Sequence, residues 1–294
     1  MKSSECLSAV QKCFPELEIT EVSPLGEGWA NWSFESPSGL VFRFPKSASS
    51  AAELDAIKPI IEELGEHLDL PMPRYTRQSD WRGLPFVAYP KVPGLPLTRD
   101  HLEGSSDPAV LSRQIGAFLT RLHQFPITRL RQEFPQAPEH PWLDQCRELC
   151  DEVKEFVLPE LPVALGDRID ALFEDFITEL SATPINAVFV HGDLEPAHIL
   201  WDSSTQRITG VIDFDDGGIG DPAWDMRLLL HYYGADALLA ILEAYEATPA
   251  DDFFTRRVHF YSKAGYFQDA ISAQKHNNEE WLDRCLYALT DVFR

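Results

Sequence analysis

Two clusters of apolar and polar residues near position 200 decide how this chain folds. The first reads Phe189-Val190-His191-Gly192-Asp193-Leu194-Glu195-Pro196-Ala197-His198-Ile199-Leu200, and the second reads Gly210-Val211-Ile212-Asp213-Phe214-Asp215-Asp216. A short turn-like stretch, residues 201–209, joins them. Each cluster is an apolar, β-prone run that ends in polar groups. The pattern therefore predicts a pair of strands whose polar ends come together.

Three side chains of these clusters suit phosphoryl transfer. We expect Asp193, His198 and Asp213 to lie close together in space. The reaction needs a carboxylate that orients the attacking hydroxyl, and ligands for the Mg²⁺ ion that neutralises the phosphates. Asp193 is the candidate catalytic base or hydroxyl-orienting group, and Asp213 is a candidate metal ligand at the end of an apolar strand. Because Mg²⁺ prefers oxygen ligands, His198 is either a tolerated ligand or a group that acts through water.

Three further polar residues are interpreted as supports of this site. We expect His191 to hold the loop by hydrogen bonds. Asp221 and Pro222 are typical of the N-cap and first position of a helix. Asp225 would then point back towards the loop that begins at His191.

A glycine pair lies near the start of the chain. Gly26 and Gly28 fall between two predicted strands, Glu18–Val22 and Trp32–Glu35. Glycines one residue apart let backbone N–H groups approach phosphates closely, although hairpin turns often show the same pattern. The pair becomes informative only together with the strand that follows it.

That following strand, predicted over Val41–Phe44, carries a candidate cation. Alternation places its two phenylalanines on one face and Arg43 on the other. A guanidinium under the glycine loop could hold the α- and β-phosphates of a nucleotide. An acidic partner from the next helix would fix its position. Glu53 and Asp55 are both candidates, and the spacing does not decide between them.

Composition limits the possible partners. The chain has 294 residues and a formal net charge of −22, which argues against nucleic acid and is compatible with a small cationic substrate. The same charge is also typical of solubility or a salt-adapted host. No apolar stretch is long enough for a membrane span, and no secretory signal is recognisable. The five cysteines lack metal-site spacing, so Cys146 and Cys150 are read as half-buried helix residues of a cytoplasmic protein.

The order of patterns predicts an α+β fold with two lobes. Residues 1–93 read as a small β-rich lobe with a linker at residues 88–94, and residues 95–294 read as a larger helical lobe. The first lobe also includes a predicted helix, Ala51–Leu64, and a strand, Leu84–Tyr89. Helices of the second lobe are predicted over Val110–His123, Pro141–Phe156, Asp167–Leu180, Pro222–Tyr233, Ala235–Glu246 and from Asp252 to the end.

Taken together, these motifs resemble the aminoglycoside phosphotransferase family, antibiotic kinases built on the protein-kinase fold. The resemblance runs over most of the chain in the family's order. It rests on Gly26-Glu27-Gly28-Trp29, Phe42-Arg43-Phe44-Pro45, Leu70-Pro71-Met72-Pro73, Pro93-Gly94-Leu95-Pro96-Leu97, Leu122-His123, His191-Gly192-Asp193, His198-Ile199-Leu200, Gly210-Val211-Ile212-Asp213-Phe214 and Gly220-Asp221-Pro222. No single motif is decisive, but the ordered set is highly specific.

The resemblance implies a role for each matching residue. Asp193 would be the catalytic aspartate, and His198 and Asp213 would be the metal-binding pair. Most of the family has Asn where His198 stands, and the 2''-aminoglycoside and 2'-macrolide kinases have His. Arg43 takes the place of the kinase lysine and remains charged. The donor would be ATP or GTP with Mg²⁺.

The resemblance also implies where the purine binds. The linker would hold the base through main-chain groups, with the carbonyl of Pro90 as an acceptor and the N–H of Val92 as a donor. Pro90 has no N–H to donate.

The acceptor is the open question within this resemblance. An aminoglycoside would need carboxylates for its ammonium groups, and the candidates are Asp215, Asp216, Glu279, Glu280 and Asp283. A macrolide would need an aromatic wall, which residues 253–267 could supply, although such aromatics are more often core. A small metabolic alcohol is a third possibility. We favour the aminoglycoside, acted on by a monomer or weak dimer.

Two other classes of function compete with the kinase. Residues 212–217 superficially resemble the Asp-x-Asp-Gly signature of haloacid-dehalogenase-type phosphatases. That signature normally opens an α/β domain near the start of a chain, whereas here it lies late and helices follow. A non-catalytic nucleotide-binding scaffold would be favoured if Asp193 or Asp213 were missing, and both are present.

Overall fold

The computed structural model, which describes residues 1–28, 30–137 and 141–293, begins with a five-stranded antiparallel sheet. Its strands are β1 Ser23–Glu27, β2 Asn31–Glu35, β3 Leu40–Pro45, β4 Arg77–Trp81 and β5 Leu84–Pro90, in the order β1-β2-β3-β5-β4. The strands predicted at residues 32–35, 41–44 and 84–89 are confirmed. The strand predicted at Glu18–Val22 is wrong, because Glu18 has a φ of 50° at the end of a 3₁₀ turn and β1 begins only at Ser23.

One face of this sheet packs on helix α1, Ser3–Cys13, which the sequence interpretation missed. Phe42 and Phe44 of β3 join Phe86 of β5 in a buried cluster with the apolar side of α1. The rings of Phe44 and Phe86 are stacked, with centroids 4.3 Å apart. Because side chains alternate along a strand, this packing leaves Arg43 on the opposite face, as predicted.

Helix α2, Ala48–His67, packs against β3 and β5. It begins at Ser47, whose hydroxyl accepts a hydrogen bond from the amide of Ser50 at 3.2 Å. Its buried residues recur at helical spacing: Ala51, Leu54, Ile57, Ile60, Ile61, Leu64 and Gly65. The predicted helix at residues 51–64 is therefore confirmed and extends at both ends.

Two smaller sheets include the strands of the two clusters near residue 200. One pairs β8 Ile199–Asp202 with both β6 Leu95–Pro96 and β9 Arg207–Val211, and the other pairs β7 Val188–Val190 with β10 Gly218–Gly220. The predicted strand pair is thus a β8–β9 hairpin. Its turn is confined to residues 203–206, so the stretch predicted as a turn at 201–209 is partly strand.

Helices make up most of the remaining chain. They are α3 Arg99–Glu103, α4 Pro108–His123, α5 Ile127–Glu133, α6 Pro141–Phe156, α7 Val163–Ala182, α8 Ala223–Tyr233, α9 Ala235–Glu243, α10 Asp252–Lys275 and α11 Glu279–Val292. All of the helices predicted in this region exist, but the last prediction is two helices rather than one. The break falls at residues 276–278, where Asn278 caps α11 through its side chain.

Two compact units divide the chain, and each is made of three stretches. Unit 1 comprises Met1–Phe125, His191–Gly217 and Asp236–Ala247, and unit 2 comprises Pro126–Val190, Gly218–Ala235 and Thr248–Arg294. The lobe boundary near residue 94 stays a prediction.

Unit 1 is closed by a tight contact between its first and last stretches. A Cβ on Gly116 of α4 would lie 2.1 Å from the carbonyl oxygen of Ile241, so only glycine fits there. One turn further along α4, the hydroxyl of Thr120 accepts a hydrogen bond from the amide of Glu246 at 2.9 Å. The last stretch is therefore an integral part of unit 1.

Unit 2 contains a buried ion pair between α10 and the start of α8. The Oδ2 atom of Asp221 accepts hydrogen bonds from Nε of Arg257 and the hydroxyl of Tyr261, both at 2.8 Å. Asp221 also accepts from the amide of Ala223 through Oδ1 at 2.9 Å, so it supports the start of α8, although the N-cap is Pro222 and the helix begins at Ala223, one residue later than predicted. The predicted contact of Asp225, which is fully buried in α8, stays a prediction.

The prediction for the cysteines is confirmed only in part. Cys146 and Cys150 lie on α6, but both are buried rather than half-buried. All five cysteines are free thiols. Among the described residues, no helix has the length and apolar character required to cross a membrane.

Candidate active site

The loop after β7 carries Asp193 and is held by His191. The imidazole of His191 is fully buried, and its Nε2 lies 3.0 Å from the carbonyl oxygen of Ile212. Its Nδ1 accepts a hydrogen bond from the amide of Asp193 at 3.3 Å. The ring therefore links the Asp193 loop to the end of β9, which is the structural role predicted for it.

Gly192 makes the sharp turn of this loop possible. Its φ is 87°, a left-handed conformation that side chains rarely adopt. A Cβ at this position would lie 2.2 Å from the carbonyl oxygen of Asp216. Glycine thus allows the Asp193 loop to lie directly against the segment that follows Asp213.

Asp193, His198 and Asp213 come together as the sequence predicted. His198 lies in the 3₁₀ turn Pro196–His198, and its Nδ1 is 2.7 Å from the main-chain oxygen of Asp193 and 3.6 Å from the carboxylate atom Oδ2 of the same residue. Its Nε2 is 3.5 Å from Oδ2 of Asp213. The two carboxylates are 38% and 39% exposed, whereas the imidazole is only 13% exposed. Two accessible acids thus flank a largely buried histidine.

The hydrogen bond of His198 determines which nitrogen can bind a metal. Because a carbonyl oxygen can only accept, Nδ1 of His198 must carry the proton that it donates to Asp193. In a neutral ring, Nε2 then presents its lone pair on the side of Asp213. Among the described residues no three His, Cys, Asp or Glu side chains form a ready metal centre. The pair nevertheless fits Mg²⁺, which is usually held by one or two protein groups together with substrate phosphates.

Asp213 has two further properties of a functional carboxylate. Its φ is 67°, a strained conformation that is common at active sites. Burial opposes its ionisation, but Arg43 and then His198 hold the pKa of Asp213 below its usual range. The group is therefore an anion at neutral pH.

Arg43 is buried next to Asp213, and its predicted partner was wrong. Its Nη2 atom lies 2.8 Å from Oδ1 of Asp213 and 2.7 Å from Oδ2 of Asp215. Glu53 and Asp55 are both exposed, because α2 turns its apolar face towards the sheet. Asp55 instead accepts a hydrogen bond from Nε2 of Gln78 at 3.1 Å.

Asp215 was expected to contact the substrate, but in the structure its carboxylate contacts Arg43 and Asn31 instead. Its Oδ2 atom pairs with Arg43 and accepts a hydrogen bond from Nδ2 of Asn31 at 2.9 Å. Burial raises the pKa of Asp215 to about 6, in spite of the nearby guanidinium. Asn31 was missed by the sequence interpretation. The only available signal was a polar amide at the start of a strand, where it is 3% exposed.

The glycine loop lies just before Asn31. Gly26 is the fourth residue of β1, opposite Ser33, and Gly28 follows the strand. Within the described part of the chain, a Cβ on Gly28 would meet only the carbonyl oxygen of Asn31, at 3.8 Å, so packing there does not require glycine. Trp29 of this motif lies outside the described residues. Contact of the loop with phosphates stays a prediction.

The linker is well anchored at both sides of Lys91. Pro90 ends β5 opposite Leu40, and the amide of Lys91 donates to the carbonyl of Gly39 at 2.8 Å. The buried side chain of Val92 packs so closely on β9 that a Cβ on Gly210 would lie 2.3 Å from it. The purine contacts of Pro90 and Val92 stay predictions.

The remaining acceptor candidates occupy two places. Asp216 is exposed in unit 1, whereas Glu279, Glu280 and Asp283 are exposed at the start of α11 in unit 2. Glu280 lies 3.8 Å from Arg284 on the same helix. The aromatic residues considered for a macrolide wall are mostly core, since these five are buried: Phe253, Phe254, Phe260, Tyr261 and Phe267.

Comparisons with known proteins give a consistent result. The sequence profile of the Phosphotransferase enzyme family matches residues 21–260. Viomycin phosphotransferase from Streptomyces vinaceus is 29% identical over 202 residues, which cover 67% of each chain. The structure of the GDP complex of wild-type aminoglycoside 2'-phosphotransferase-IIIa is 26% identical, with a TM-score of 0.89 over 99% of this chain and 98% of that one. A structure of macrolide 2'-phosphotransferase type I, 23% identical, has a TM-score of 0.72 over 98% and 99% of the two chains and shares the fold.

Proposed function

Since the chain belongs to the Phosphotransferase enzyme family, a family of antibiotic kinases, we propose that it transfers the γ-phosphoryl group of ATP or GTP to a hydroxyl of a cationic antibiotic. The resemblance inferred from the motifs, the α+β kinase-like fold and the phosphotransferase class are thereby confirmed. The arrangement that carries the proposal is Asp193, His198 and Asp213 grouped beside a buried arginine, Arg43.

Asp193 orients the acceptor in this proposal. Its carboxylate is accessible, and its main chain is fixed by two hydrogen bonds. The N–H of Asp193 donates to Nδ1 of His191, and its carbonyl oxygen accepts from Nδ1 of His198. An accessible carboxylate on a rigid loop can accept the proton of an alcohol and align its oxygen for in-line attack. The motif and the family support this role.

In this proposal the negative charge of the nucleotide phosphates is neutralised with the help of Arg43, Asp213 and His198. Mg²⁺ held by Asp213 and His198 would neutralise charge on the transferred phosphoryl group. Arg43 supplies a permanent positive charge 2.8 Å from the same carboxylate, and we propose that this charge holds the phosphates of the nucleotide. We propose that the glycine loop at Gly26 and Gly28 covers the phosphates, and that the linker binds the purine through Pro90 and Val92.

The family argues against the phosphatase alternative. The Asp-x-Asp-Gly interpretation requires the first aspartate, Asp213, to act as a nucleophile. Asp213 instead forms an ion pair with Arg43 and faces an imidazole that can bind a metal. The family model that matches and the solved structures compared above are those of phosphotransferases.

The acceptor proposed first is an aminoglycoside. The net charge of −22 and the exposed acids Asp216, Glu279, Glu280 and Asp283 favour a polycationic molecule. The burial of the α10 aromatics removes the main support for a macrolide. A cationic peptide antibiotic is the second candidate, because viomycin phosphotransferase is among the relatives. Phosphorylation would inactivate the drug, so the protein would confer resistance as a cytoplasmic monomer or weak dimer.

A coupled assay of nucleoside diphosphate release tests the proposal. The protein is assayed with ATP and GTP against aminoglycosides, viomycin, macrolides and small alcohols. We expect acceptor-dependent release with an aminoglycoside or viomycin, and loss of turnover by roughly 10²-fold or more in Asp193→Ala. Titration calorimetry should show nearly unchanged nucleotide affinity in that variant.

Two variants give the assay its controls. Asp213→Ala should lose binding of the metal–nucleotide complex as well as turnover. Asp100→Ala removes an exposed carboxylate of α3 and should behave as the parent does. Near-full activity of Asp193→Ala, or release of diphosphate without any acceptor, would contradict the proposal.

A further inference from the structure

Asp215 joins three elements of unit 1 through one oxygen atom. Its Oδ2 is 2.7 Å from Nη2 of Arg43 on β3, and it accepts from Nδ2 of Asn31, the first residue of β2 after the glycine loop, at 2.9 Å. Arg43 is 7% exposed and Asn31 is 3% exposed. A carboxylate shared by two buried donors fixes the positions of both.

Arg43 is shared between two carboxylates that differ in their surroundings. The same Nη2 atom lies 2.8 Å from Asp213 Oδ1. The side chain of Asp213 is 39% exposed and its other oxygen faces His198, whereas the side chain of Asp215 is 14% exposed and contacts Arg43 and Asn31. Asp213 is therefore the carboxylate that can turn to another cation, and Asp215 is the one that stays with Arg43.

Three buried polar atoms of this cluster have no hydrogen-bond partner within the described part of the chain. They are Nε of Arg43, Oδ1 of Asn31 and Oδ1 of Asp215. Buried polar atoms are nearly always paired in folded proteins, so unpaired ones point to a group that binds there. The free edge of the guanidinium suits a phosphate oxygen.

From this geometry we propose that Asp215 is a positioning residue: it holds Arg43 in place when Asp213 leaves the guanidinium to bind the metal ion. We also propose that Asn31, through its hydrogen bond to Asp215, fixes the end of the glycine loop to the same carboxylate. The inference rests on the proposed function. It assigns to Asp215 the role expected of Glu53 or Asp55 on α2, which is to fix the position of Arg43. It also removes Asp215 from the substrate candidates.

The proposal has a consequence that simple structural support would not have. Without Asp215, Arg43 keeps only Asp213 of its two carboxylate partners, so the metal ion must compete with the guanidinium for Asp213. Binding of Mg²⁺–nucleotide then weakens more than binding of the nucleotide alone. A general loss of structure would weaken both to the same extent.

Titration calorimetry with ADP and with GDP tests this directly. Each nucleotide is titrated into the full chain in EDTA and at rising Mg²⁺ concentrations, for the parent, Asp215→Ala, Asp215→Asn and Asn31→Ala. Asp215→Ala should raise the Mg²⁺ concentration at half-saturation by roughly tenfold or more, with a smaller change in EDTA. Asn31→Ala should weaken nucleotide binding in both conditions, since it leaves the two carboxylates in place.

The controls separate this inference from the proposed function. Asp100→Ala makes the same charge change on the surface of unit 1 and should match the parent. If Asp215→Ala does not fold, as judged by circular dichroism, Asp215→Asn carries the comparison, because its amide oxygen keeps the hydrogen bonds but not the charge. If the parent binds Mg²⁺–nucleotide and the Asp215 variant changes nucleotide affinity equally with and without Mg²⁺, or not at all, the inference is overturned and the proposed function is not. A parent that bound no nucleotide would overturn the proposed function and the inference together.

Discussion

The ring nitrogen Nδ1 of His198 lies 2.7 Å from the main-chain oxygen of Asp193. This bond fixes the tautomer of the imidazole and leaves Nε2 beside Asp213. The imidazole of His198 therefore connects Asp193, which is proposed to orient the acceptor, with Asp213, which is proposed to bind the metal. An asparagine at position 198 could supply an oxygen to the metal but would lose this arrangement.

The identity of residue 198 should influence which metal supports the reaction. Imidazole nitrogen favours later transition metals, whereas an amide oxygen favours Mg²⁺. We expect His198→Asn to lower the apparent affinity for Co²⁺ on the order of tenfold and that for Mg²⁺ by less. Turnover measured against the concentration of each metal checks this. His259→Asn, an exposed histidine of α10, is the control. An unchanged preference between the metals would argue that His198 does not bind the metal.

Gly192 should be essential for the loop that carries Asp193. Gly192→Ala combines a φ of 87° with a contact of 2.2 Å to the Asp216 carbonyl. We expect it to lower the free energy of unfolding by about 2 kcal/mol or more and to abolish turnover. Gly234→Ala is a matched control, because Gly234 has the same φ and a Cβ there would meet no described atom within 4 Å. Urea unfolding of both variants compares the same φ with and without the close contact, and equal losses would show that the contact is unimportant.

The ion pair of Asp221 and Arg257 should stabilise unit 2 strongly and non-additively. The two side chains are 0% and 7% exposed. Arg257→Met leaves a buried carboxylate without its cation and should cost about 3–5 kcal/mol, whereas Tyr261→Phe should cost about 1.5–3 kcal/mol. Adding Asp221→Asn to Arg257→Met should recover part of the loss. Urea unfolding measures each value, and additive effects would mean that the pair contributes little.

The buried carboxyl of Asp215 predicts a dependence of stability on pH in the metal-free protein. Its pKa is raised to about 6, so the folded state holds a proton that the unfolded state has already released. That contribution is complete below the unfolded pKa near 4 and is lost as the pH rises through 6. The loss amounts to about 2–3 kcal/mol for a shift of this size.

Asp215→Asn removes this titration. We expect the free energy of unfolding of the variant, relative to the parent, to increase between pH 4.5 and pH 7.5 in EDTA. Urea unfolding across this range measures the difference, in which the other shared titrations cancel. Asp55→Asn, on the exposed side of α2, makes the same change of charge and is the control. A flat difference for Asp215→Asn would mean that its pKa is not raised in the folded protein.

Local patterns predicted most of the elements that carry the site. Helix α6 begins and ends at the predicted residues, Pro141 and Phe156, because its buried positions recur at helical spacing. The β8–β9 hairpin and the meeting of Asp193, His198 and Asp213 followed from apolar runs ending in polar groups. These features depend on neighbours in sequence, which is what periodicity reports.

The partner of Arg43 could not be predicted in this way. The expected acids on α2 are close in sequence, whereas the observed ones, Asp213 and Asp215, are 170 and 172 positions away. No spacing encodes such a contact, since it depends on how the sheet and the β8–β9 hairpin pack. Asn31 was missed for the same reason. Helix α1 was missed because its few buried residues are small or isolated in the sequence.

The contact of Gly116 with Ile241 has a consequence for how the chain matures. The unit that carries Arg43, Asp193, His198 and Asp213 also needs the stretch that ends at Ala247. A nascent chain on the ribosome cannot complete this unit until synthesis has passed Ala247. Fragments that stop between residues 217 and 236 would contain Arg43, Asp193, His198 and Asp213 and still lack the last stretch of unit 1, so we expect such truncated chains to be inactive.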